Sequence, residues 1–242
     1  MMDDELDSMV RASDRIEMWI QFVQRHQSRA VAELGVARGI FAEALLSNCP
    51  EISTYYLIDP WRHLEDWNKP ANRDDHSFEA FYEETMARTE PWTSARVVLR
   101  GRTTEVIHSI PDESLDFAYV DGDHTLRGIT VDLLRIWPKV KVDGFIGGDD
   151  FCPSIWQHTE GFEPTLVFPF AVHFAEAMDT PIAALPNNQF VIQKSASGFD
   201  FVDKTGRYGD LTLQGSLGEP PSNKGLRLPK QFLRRTGTNS PR

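Results

Sequence analysis

Carboxylate side chains follow two apolar segments of this 242-residue sequence. Asp121 comes directly after segment 115–120, and Asp149 and Asp150 come directly after segment 143–148. If these segments are neighbouring parallel strands, the three side chains, which we call the carboxylate cluster, meet at one edge of a sheet. Converging carboxylates repel each other unless a cation lies among them, and their oxygen atoms suit Mg²⁺ or Ca²⁺. The sequence therefore predicts a divalent-cation site, or, as the alternative, a loop cap at Asp150 with only Asp121 functional.

His124 lies three residues after Asp121, where the sequence predicts the start of a helix. A histidine beside the carboxylate cluster can take the proton of a substrate hydroxyl as a general base. In the alternative interpretation, Asp123 and Thr125 cap the helix and His124 faces solvent. We predict that His124 and Asp121 are the catalytic residues.

A glycine turn follows the first predicted strand. Residues 33–39 read Glu-Leu-Gly-Val-Ala-Arg-Gly, and the glycines at positions 35 and 39 let a ligand lie close to the backbone. Val36 and Ala37 stand where a dinucleotide fingerprint has further glycines, which argues against a nicotinamide oxidoreductase. Asp59 ends the second predicted strand, roughly 20 residues later, where an acid accepts hydrogen bonds from a ribose diol.

The elements that position these residues alternate between short apolar strands and amphipathic helices. Predicted strands are 30–34, 54–58, 96–99, 115–120, 143–148, 182–185 and 189–193, and predicted helices are 14–27, 38–47, 75–88, 103–109, 124–137 and 170–178. Only three residues separate the last two strands, so these pair antiparallel, because a parallel crossover needs a dozen or more. We predict an α/β fold with a doubly wound, mostly parallel seven-stranded sheet and an antiparallel last strand.

Composition limits the partners and the compartment. The net charge of −11 argues against nucleic acid as a partner of the body of the protein. Two cysteines, Cys49 and Cys152, cannot form a disulfide framework, so we expect a cytoplasmic protein with reduced thiols. No apolar stretch approaches the roughly 20 residues that span a bilayer, so we expect no membrane partner.

Three segments together resemble the class I S-adenosylmethionine-dependent methyltransferases. They are Val31 to Gly39, Leu57 to Trp61, and Phe117 to His124. Their order is most similar to the small-molecule O-methyltransferases (methyltransferase family 24), whose fourth strand ends in Asp-Gly-Asp-His. The resemblance covers residues 30–194 and implies an enzyme that moves a methyl group from S-adenosylmethionine to a hydroxyl oxygen.

The resemblance also implies roles for individual residues. Asp59 would bind the ribose hydroxyls, Trp61 would cover the adenine, and Asp121 would lie under the methionine part of the cofactor. The residues expected at the cofactor are Glu33, Gly35, Gly39, Asp59, Trp61, Arg102, Thr103 and Asp121. In one branch of these enzymes carboxylates after strands four and five hold a cation, which assigns Mg²⁺ to Asp121, Asp149 and Asp150.

The chain is predicted to have three parts. Residues 1–29 form an N-terminal helical segment, residues 30–194 the methyltransferase domain, and residues 195–242 an extension with a hairpin near 199–213 and a basic tail. The N-terminal segment and the extension are candidates for a homo-oligomer contact, and we expect the tail to be a solvated arm.

Alternative functions remain open at this stage. The same fold also occurs in cofactor-binding or assembly subunits without turnover, and a carboxylate cluster can hold the iron of a metal-dependent hydroxylase. The expected partner is a small-molecule acceptor, for which a sugar, a phenolic ring and a polyketide are all open.

Overall fold

The computed structural model describes Leu6, residues 9–159, residues 161–209 and Leu211. The basic tail predicted from residue 220 onward lies outside these residues, as do residues 210, 212 and 213 of the predicted hairpin. No helix of the described part is long and apolar enough to cross a membrane.

One mixed sheet organises the described residues. Its strands are β1 (Ala30–Leu34), β2 (Thr54–Asp59), β3 (Arg96–Arg100), β4 (Leu115–Val120), β5 (Val140–Gly148), β6 (Ile182–Leu185), β7 (Gln189–Gln193) and β8 (Phe201–Asp203). Their order is β3-β2-β1-β4-β5-β7-β6-β8. Strands β1 to β5 pair in parallel, whereas β7 runs antiparallel to both β5 and β6. The predicted fold class is confirmed, and β8 extends the predicted seven strands by pairing parallel with β6.

Six α-helices in the described residues connect or cover the strands. They are α1 (Arg15–Arg25), α2 (Ile40–Asn48), α3 (Asp75–Arg88), α4 (Thr103–Val106), α5 (Leu126–Ile136) and α6 (Val167–Ala177). Asp14 caps α1 by accepting from the amides of Ile16 and Glu17, and Thr125 caps α5 by accepting from the amide of Gly128. The Thr125 cap moves the start of α5 two residues beyond the predicted position.

The core consists of two hydrophobic clusters, because alternate residues of each central strand point to opposite faces of the sheet. One cluster joins Val31 and Phe117 to Trp19 of α1. The other joins Ala32 to Ile129 of α5. Helices α1 and α2 therefore pack on one face and α5 and α6 on the other, as in a doubly wound fold.

The described residues of the predicted hairpin near 199–213 contain one strand, and the hairpin as a whole stays a prediction. Only its first half forms a strand, β8. Asp203 then accepts hydrogen bonds from the amides of Thr205, Gly206 and Tyr208, which folds the chain into a compact turn. Tyr208 is 3% exposed, and its hydroxyl donates to the carbonyl of Phe151. Burial of this ring therefore anchors the chain that follows β8.

Candidate active site

The glycine turn after β1 packs tightly against its protein neighbours. Gly35 has φ +90°, and a Cβ atom there would lie 2.2 Å from the carbonyl oxygen of Asp121. Gly39 has φ +72°, and its Cβ atom would lie 2.9 Å from Cγ2 of Thr85. Both positions require glycine because of backbone conformation and space. Their contact with a cofactor stays a prediction.

Asp59, the last residue of β2, holds this turn in place. Its Oδ2 accepts from the amides of Val36 and Ala37, each at 2.9 Å, and its Oδ1 accepts from the amide of Trp61 at 2.7 Å. Burial raises the pKa of Asp59, and the three amide hydrogen bonds act in the opposite direction. A carboxylate offers about four acceptor sites, so capacity for a ribose hydroxyl remains.

Trp61 is a core residue here. Its side chain is 1% exposed, and its Nε1 donates to the carbonyl of Ala37 at 2.7 Å. In this conformation the indole supports the glycine turn and offers no open face to an adenine. The predicted stacking role would require the side chain to move.

Glu33 is buried near the end of β1. Tyr55 donates its hydroxyl to Oε2 of Glu33 at 2.7 Å. Burial raises the pKa of Glu33 well above its usual range, although the hydrogen bond from Tyr55 opposes this shift. Glu33 therefore lies on the predicted cofactor side, but in an enclosed site that it shares with Tyr55.

Arg102 and Thr103 lie where β3 leads into α4. Arg102 donates to Asp66 from Nη1 at 3.1 Å, and Arg127 of α5 donates to the same carboxylate at 2.7 Å. Thr103 donates to Oδ1 of the buried Asp132 at 2.6 Å. These contacts connect the loops after β2 and β3 with α5.

The carboxylate cluster forms as predicted, at the adjacent carboxyl ends of β4 and β5. Arg15, the first residue of α1, lies between two of its members. Its Nη1 donates to Oδ2 of Asp121 at 3.2 Å and to Oδ2 of Asp149. Nη1 also lies 3.4 Å from the hydroxyl of Tyr119. The positive group that the cluster requires is therefore present within the chain.

The third carboxylate, Asp150, is paired with His124. Nδ1 of His124 binds Oδ2 of Asp150, and Nε2 lies 3.3 Å from Oδ1 of Asp121. Burial alone would lower the pKa of His124, but its contacts with Asp121 and Asp150 raise the pKa to about 10. The imidazole is therefore an imidazolium near neutral pH, and the carboxylate cluster is neutralised from two sides.

These pairings do not fit the predicted Mg²⁺ site. Asp121 and Asp149 share the Arg15 guanidinium, and Asp150 is held by His124. Within the part of the chain that the structure describes, no group of three or more histidine, cysteine, aspartate or glutamate side chains is arranged to hold a metal ion. The guanidinium of Arg15 and the imidazole of His124 stand where a metal ion would meet these oxygens, so the contacts do not support the assignment of Mg²⁺ to Asp121, Asp149 and Asp150.

Gln189 was not predicted from the sequence, although it positions the cluster. It is fully buried, and its Oε1 accepts from Nε1 of Trp19 and from the hydroxyl of Tyr119, both at 2.8 Å. Its Nε2 donates to Oδ1 of Asp149 at 2.6 Å. In the sequence, Gln189 could have been recognised as a polar residue at the start of an otherwise apolar strand.

Lys69 also lacked a sequence signal. It is 6% exposed and donates to the carbonyl of Glu163 at 2.9 Å and to Oγ1 of Thr165 at 3.0 Å. Thr165 donates to Gln157 at 3.0 Å, and Gln157 approaches Oδ1 of Asp150 at 3.4 Å. A chain of hydrogen bonds thus connects the loop after β2 with the carboxylate cluster.

Three buried nitrogens that make no hydrogen bond lie at this edge of the sheet. They are Nε1 of Trp67, Nε of Arg102 and Nε2 of His124, the last of which lies 3.3 Å from Oδ1 of Asp121 as an ion pair. These atoms follow β2, β3 and β4, respectively, and ligands of parallel α/β sheets bind at that edge. Since buried donors normally have partners, a ligand with acceptor groups would suit this edge.

Sequence comparison gives one family match and no curated relative. A model of a methyltransferase domain family, Methyltransf_24, matches residues 32–151, which contain the glycine turn, Asp59 and the carboxylate cluster. No curated protein sequence matches the chain.

Several solved structures with a similar fold are methyltransferases. A candidate caffeoyl-CoA O-methyltransferase from Staphylococcus aureus has a TM-score of 0.55 at 12% identity, over 79% of this chain and 88% of that one. An O-methyltransferase from Bacillus cereus, solved with S-adenosylhomocysteine, has a TM-score of 0.53 at 13% identity, over 79% and 91%. TomG from Streptomyces achromogenes, solved with S-adenosylmethionine, has a TM-score of 0.52 at 12% identity, over 79% and 84%. At these identities the likeness establishes the fold.

Proposed function

We propose that this chain, whose residues 32–151 form a domain of the S-adenosylmethionine-dependent methyltransferase family, transfers a methyl group to a hydroxyl oxygen of a small molecule. The observation that carries the proposal is the convergence of two features at one edge of the sheet. Unpaired buried nitrogens there suit a polar cofactor. Beside them, His124 and the carboxylate cluster suit an acceptor that must lose a proton.

The cofactor would supply an electrophilic methyl group on a sulfonium sulfur. Asp59 would accept hydrogen bonds from the ribose, and its contacts with Val36 and Ala37 would keep the glycine turn in shape. Arg102 would offer its unpaired Nε to the base. Asp121 would provide negative charge near the sulfonium, and Glu33, Gly35, Gly39 and Thr103 would complete the surrounding wall.

His124 would remove the proton of the acceptor hydroxyl. Asp150 binds Nδ1 and orients the ring, which leaves Nε2 as the nitrogen without a hydrogen bond. With a pKa of about 10, Nε2 is protonated in the ligand-free protein at neutral pH, so the basic form becomes more populated as the pH rises. Methyl transfer is therefore expected to accelerate from neutral to alkaline pH.

The two cysteines bear on the compartment in which the transfer to a small molecule takes place. Cys49 and Cys152 are both free, and burial raises the pKa of each thiol, to about 12 and about 11. Unreactive, unpaired thiols are typical of cytoplasmic proteins. We therefore expect the transfer to take place in the cytoplasm.

Calorimetric titration with S-adenosylhomocysteine tests the cofactor assignment, with NAD as the matched nucleotide control. We expect micromolar or tighter binding of S-adenosylhomocysteine and no binding of NAD, since the glycine turn lacks the dinucleotide fingerprint. Binding of NAD alone would refute the proposal. Binding of S-adenosylhomocysteine without transfer to sugar, phenol or polyketide hydroxyls would favour a non-catalytic subunit.

A further inference from the structure

Arg15 lies among the side chains of the carboxylate cluster, which would repel each other without a cation. Its Nη1 approaches one oxygen of Asp121 and one of Asp149, and this places a single positive group between the ends of β4 and β5. Burial first and then the charge of Asp121 raise the pKa of Asp149 to about 6, which reflects repulsion between the two carboxylates. The guanidinium reduces that repulsion.

The position of Arg15 is determined by the rest of α1. Trp19, one turn further along the helix, is fully buried and donates to Gln189. The edge of its ring lies so close to β5 that a Cβ atom at Gly147 would be 2.3 Å from its Cη2. Because Gln189 also binds Asp149, the same contacts hold the helix and the carboxylate. The Arg15 pairing is thus part of the packed structure.

The guanidinium of Arg15 has further hydrogen-bond donors. Among the described residues, the hydrogen bonds of Arg15 all involve Nη1, which leaves Nε and Nη2 without partners. Its side chain is 39% exposed, so a molecule at the carboxyl edge of the sheet can reach it. A guanidinium presents five donors in a planar fork and stays protonated at every pH of interest.

We propose that Arg15 takes the place of a divalent cation in this active site. It holds Asp121 and Asp149 in fixed orientations, excludes a metal ion from between them, and keeps donors for the oxygen of the acceptor. The inference rests on the proposed function only for the identity of that acceptor. The exclusion of metal follows from the contacts of this chain alone.

Titration with Mn²⁺ tests the proposal without any methyl acceptor. The variant Arg15→Gln keeps a similar length but loses the charge, so the carboxylate cluster should recruit a cation in its place. We expect R15Q to bind Mn²⁺ at least tenfold more tightly than the wild-type chain. The added substitution D149N should abolish that gain. Arg25→Gln, at the exposed other end of α1, is the matched control and should behave like the wild type.

The opposite results would overturn the proposal. Equal Mn²⁺ affinity of the wild type and R15Q would show that Arg15 does not exclude the ion. If circular dichroism shows that R15Q does not fold, R15K is used in its place. The single ammonium of R15K bridges two carboxylates less well, so its Mn²⁺ affinity should exceed that of the wild type, and equal affinity would again contradict the inference. S-adenosylhomocysteine is titrated in parallel, so that a failure of the proposed function is recognised separately.

Discussion

Asp59 combines a structural contact with a predicted ligand contact. Its two oxygens accept three backbone amides, from Val36, Ala37 and Trp61, and those amides shape the turn that the cofactor is expected to meet. Hydrogen bonds to a charged acceptor contribute about 1.5–3 kcal/mol each in favourable cases. A substitution at this position should therefore affect the turn and the predicted ligand contact together.

The variant Asp59→Asn should weaken both folding and cofactor binding. An amide group in place of one oxygen would face an N–H donor, and the lost contact should lower the free energy of unfolding by about 1–3 kcal/mol. The affinity for S-adenosylhomocysteine should fall at least tenfold, measured by calorimetry.

Asp116 provides a matched control for this experiment. Its carboxylate also accepts two backbone amides, those of Arg29 and Ala30, each at 2.8 Å, at the opposite edge of the sheet. Asp116→Asn should reduce stability by a comparable amount while leaving the affinity for S-adenosylhomocysteine unchanged. Equal loss of affinity in both variants would argue that Asp59 acts only through stability.

Asp132 of α5 should make folding stability depend on pH. Burial raises the pKa of Asp132 to about 7, and the hydrogen bond from Thr103 opposes this shift. Between about pH 4 and pH 7 the carboxyl group ionises in the unfolded chain but stays protonated in the folded one. The free energy of unfolding therefore falls as the pH rises through this window, by about 1.4 kcal/mol for each unit of pKa difference.

The variant Asp132→Asn removes the titrating group, so its stability should fall less between pH 4.5 and pH 7.5 than that of the wild type. Urea unfolding at the two pH values measures the difference. Asp112→Asn, at a 70% exposed side chain, should keep the pH dependence of the wild type. If the free energy of unfolding changed equally with pH in the wild type and in Asp132→Asn, Asp132 would not be the source of the pH dependence.

At the scale of elements, α1 is packed against the sheet and is not a separate N-terminal appendage. Trp19 and Phe22 belong to the same hydrophobic cluster as Phe117 and Tyr119 of β4. The two rings Trp19 and Phe117 have centroids 5.2 Å apart. The helix therefore completes one face of the core and carries Arg15 to the ends of β4 and β5.

Gly147 of β5 is the position at which this packing can be tested. In Gly147→Ala the new methyl group would lie 2.3 Å from the ring of Trp19, so the helix would have to shift. We expect a loss of about 1–3 kcal/mol in the free energy of unfolding, which is typical of overpacked cores. Gly161→Ala is the control, because nothing lies within 4 Å of its Cβ position. Similar free energies of unfolding for both variants would show that α1 can shift without loss of stability.

At the scale of the whole molecule, two long connections meet at the carboxyl edge of the sheet. The connection after β2 and the one after β5 are joined by Asn68, which donates to the carbonyl of Gly161 at 2.9 Å and accepts from the amide of Glu163 at 3.2 Å. Lys69 adds its two hydrogen bonds from a buried position. The two connections therefore form one structure beside the carboxylate cluster.

The variant Lys69→Met should loosen both connections at once. Methionine fills a similar volume but donates no hydrogen bond, so amide exchange should accelerate about tenfold in residues 62–74 and 152–166 and not in the strands. Hydrogen exchange with mass spectrometry measures this. Lys141→Met removes an exposed ion pair with Asp116 elsewhere and should leave both connections unchanged. Acceleration in only one of them would disprove their coupling.

Local patterns were sufficient to predict the order and type of the elements from β1 to β7. Short apolar strands that alternate with amphipathic helices are compatible with few folds other than a doubly wound sheet. The three-residue link after β6 is too short for a parallel crossover, so β7 had to be antiparallel. The carboxyl ends of parallel strands lie at one edge, so the meeting of Asp121, Asp149 and Asp150 also followed from periodicity. The turn at Asp203 did not, because a side chain that caps amides competes with strand pairing.

The partners of these residues could not be predicted in the same way. Arg15 and Asp121 are 106 positions apart, and nothing in the composition around either residue signals the contact. The same holds for Gln189 with Trp19, and for Lys69 with Thr165, which are 170 and 96 positions apart. A local pattern shows which face of an element is buried, but it does not reveal which distant side chain neutralises a charge there. That depends on how α1 and the long connections pack on the finished sheet, and this packing placed a guanidinium where a metal ion had been predicted.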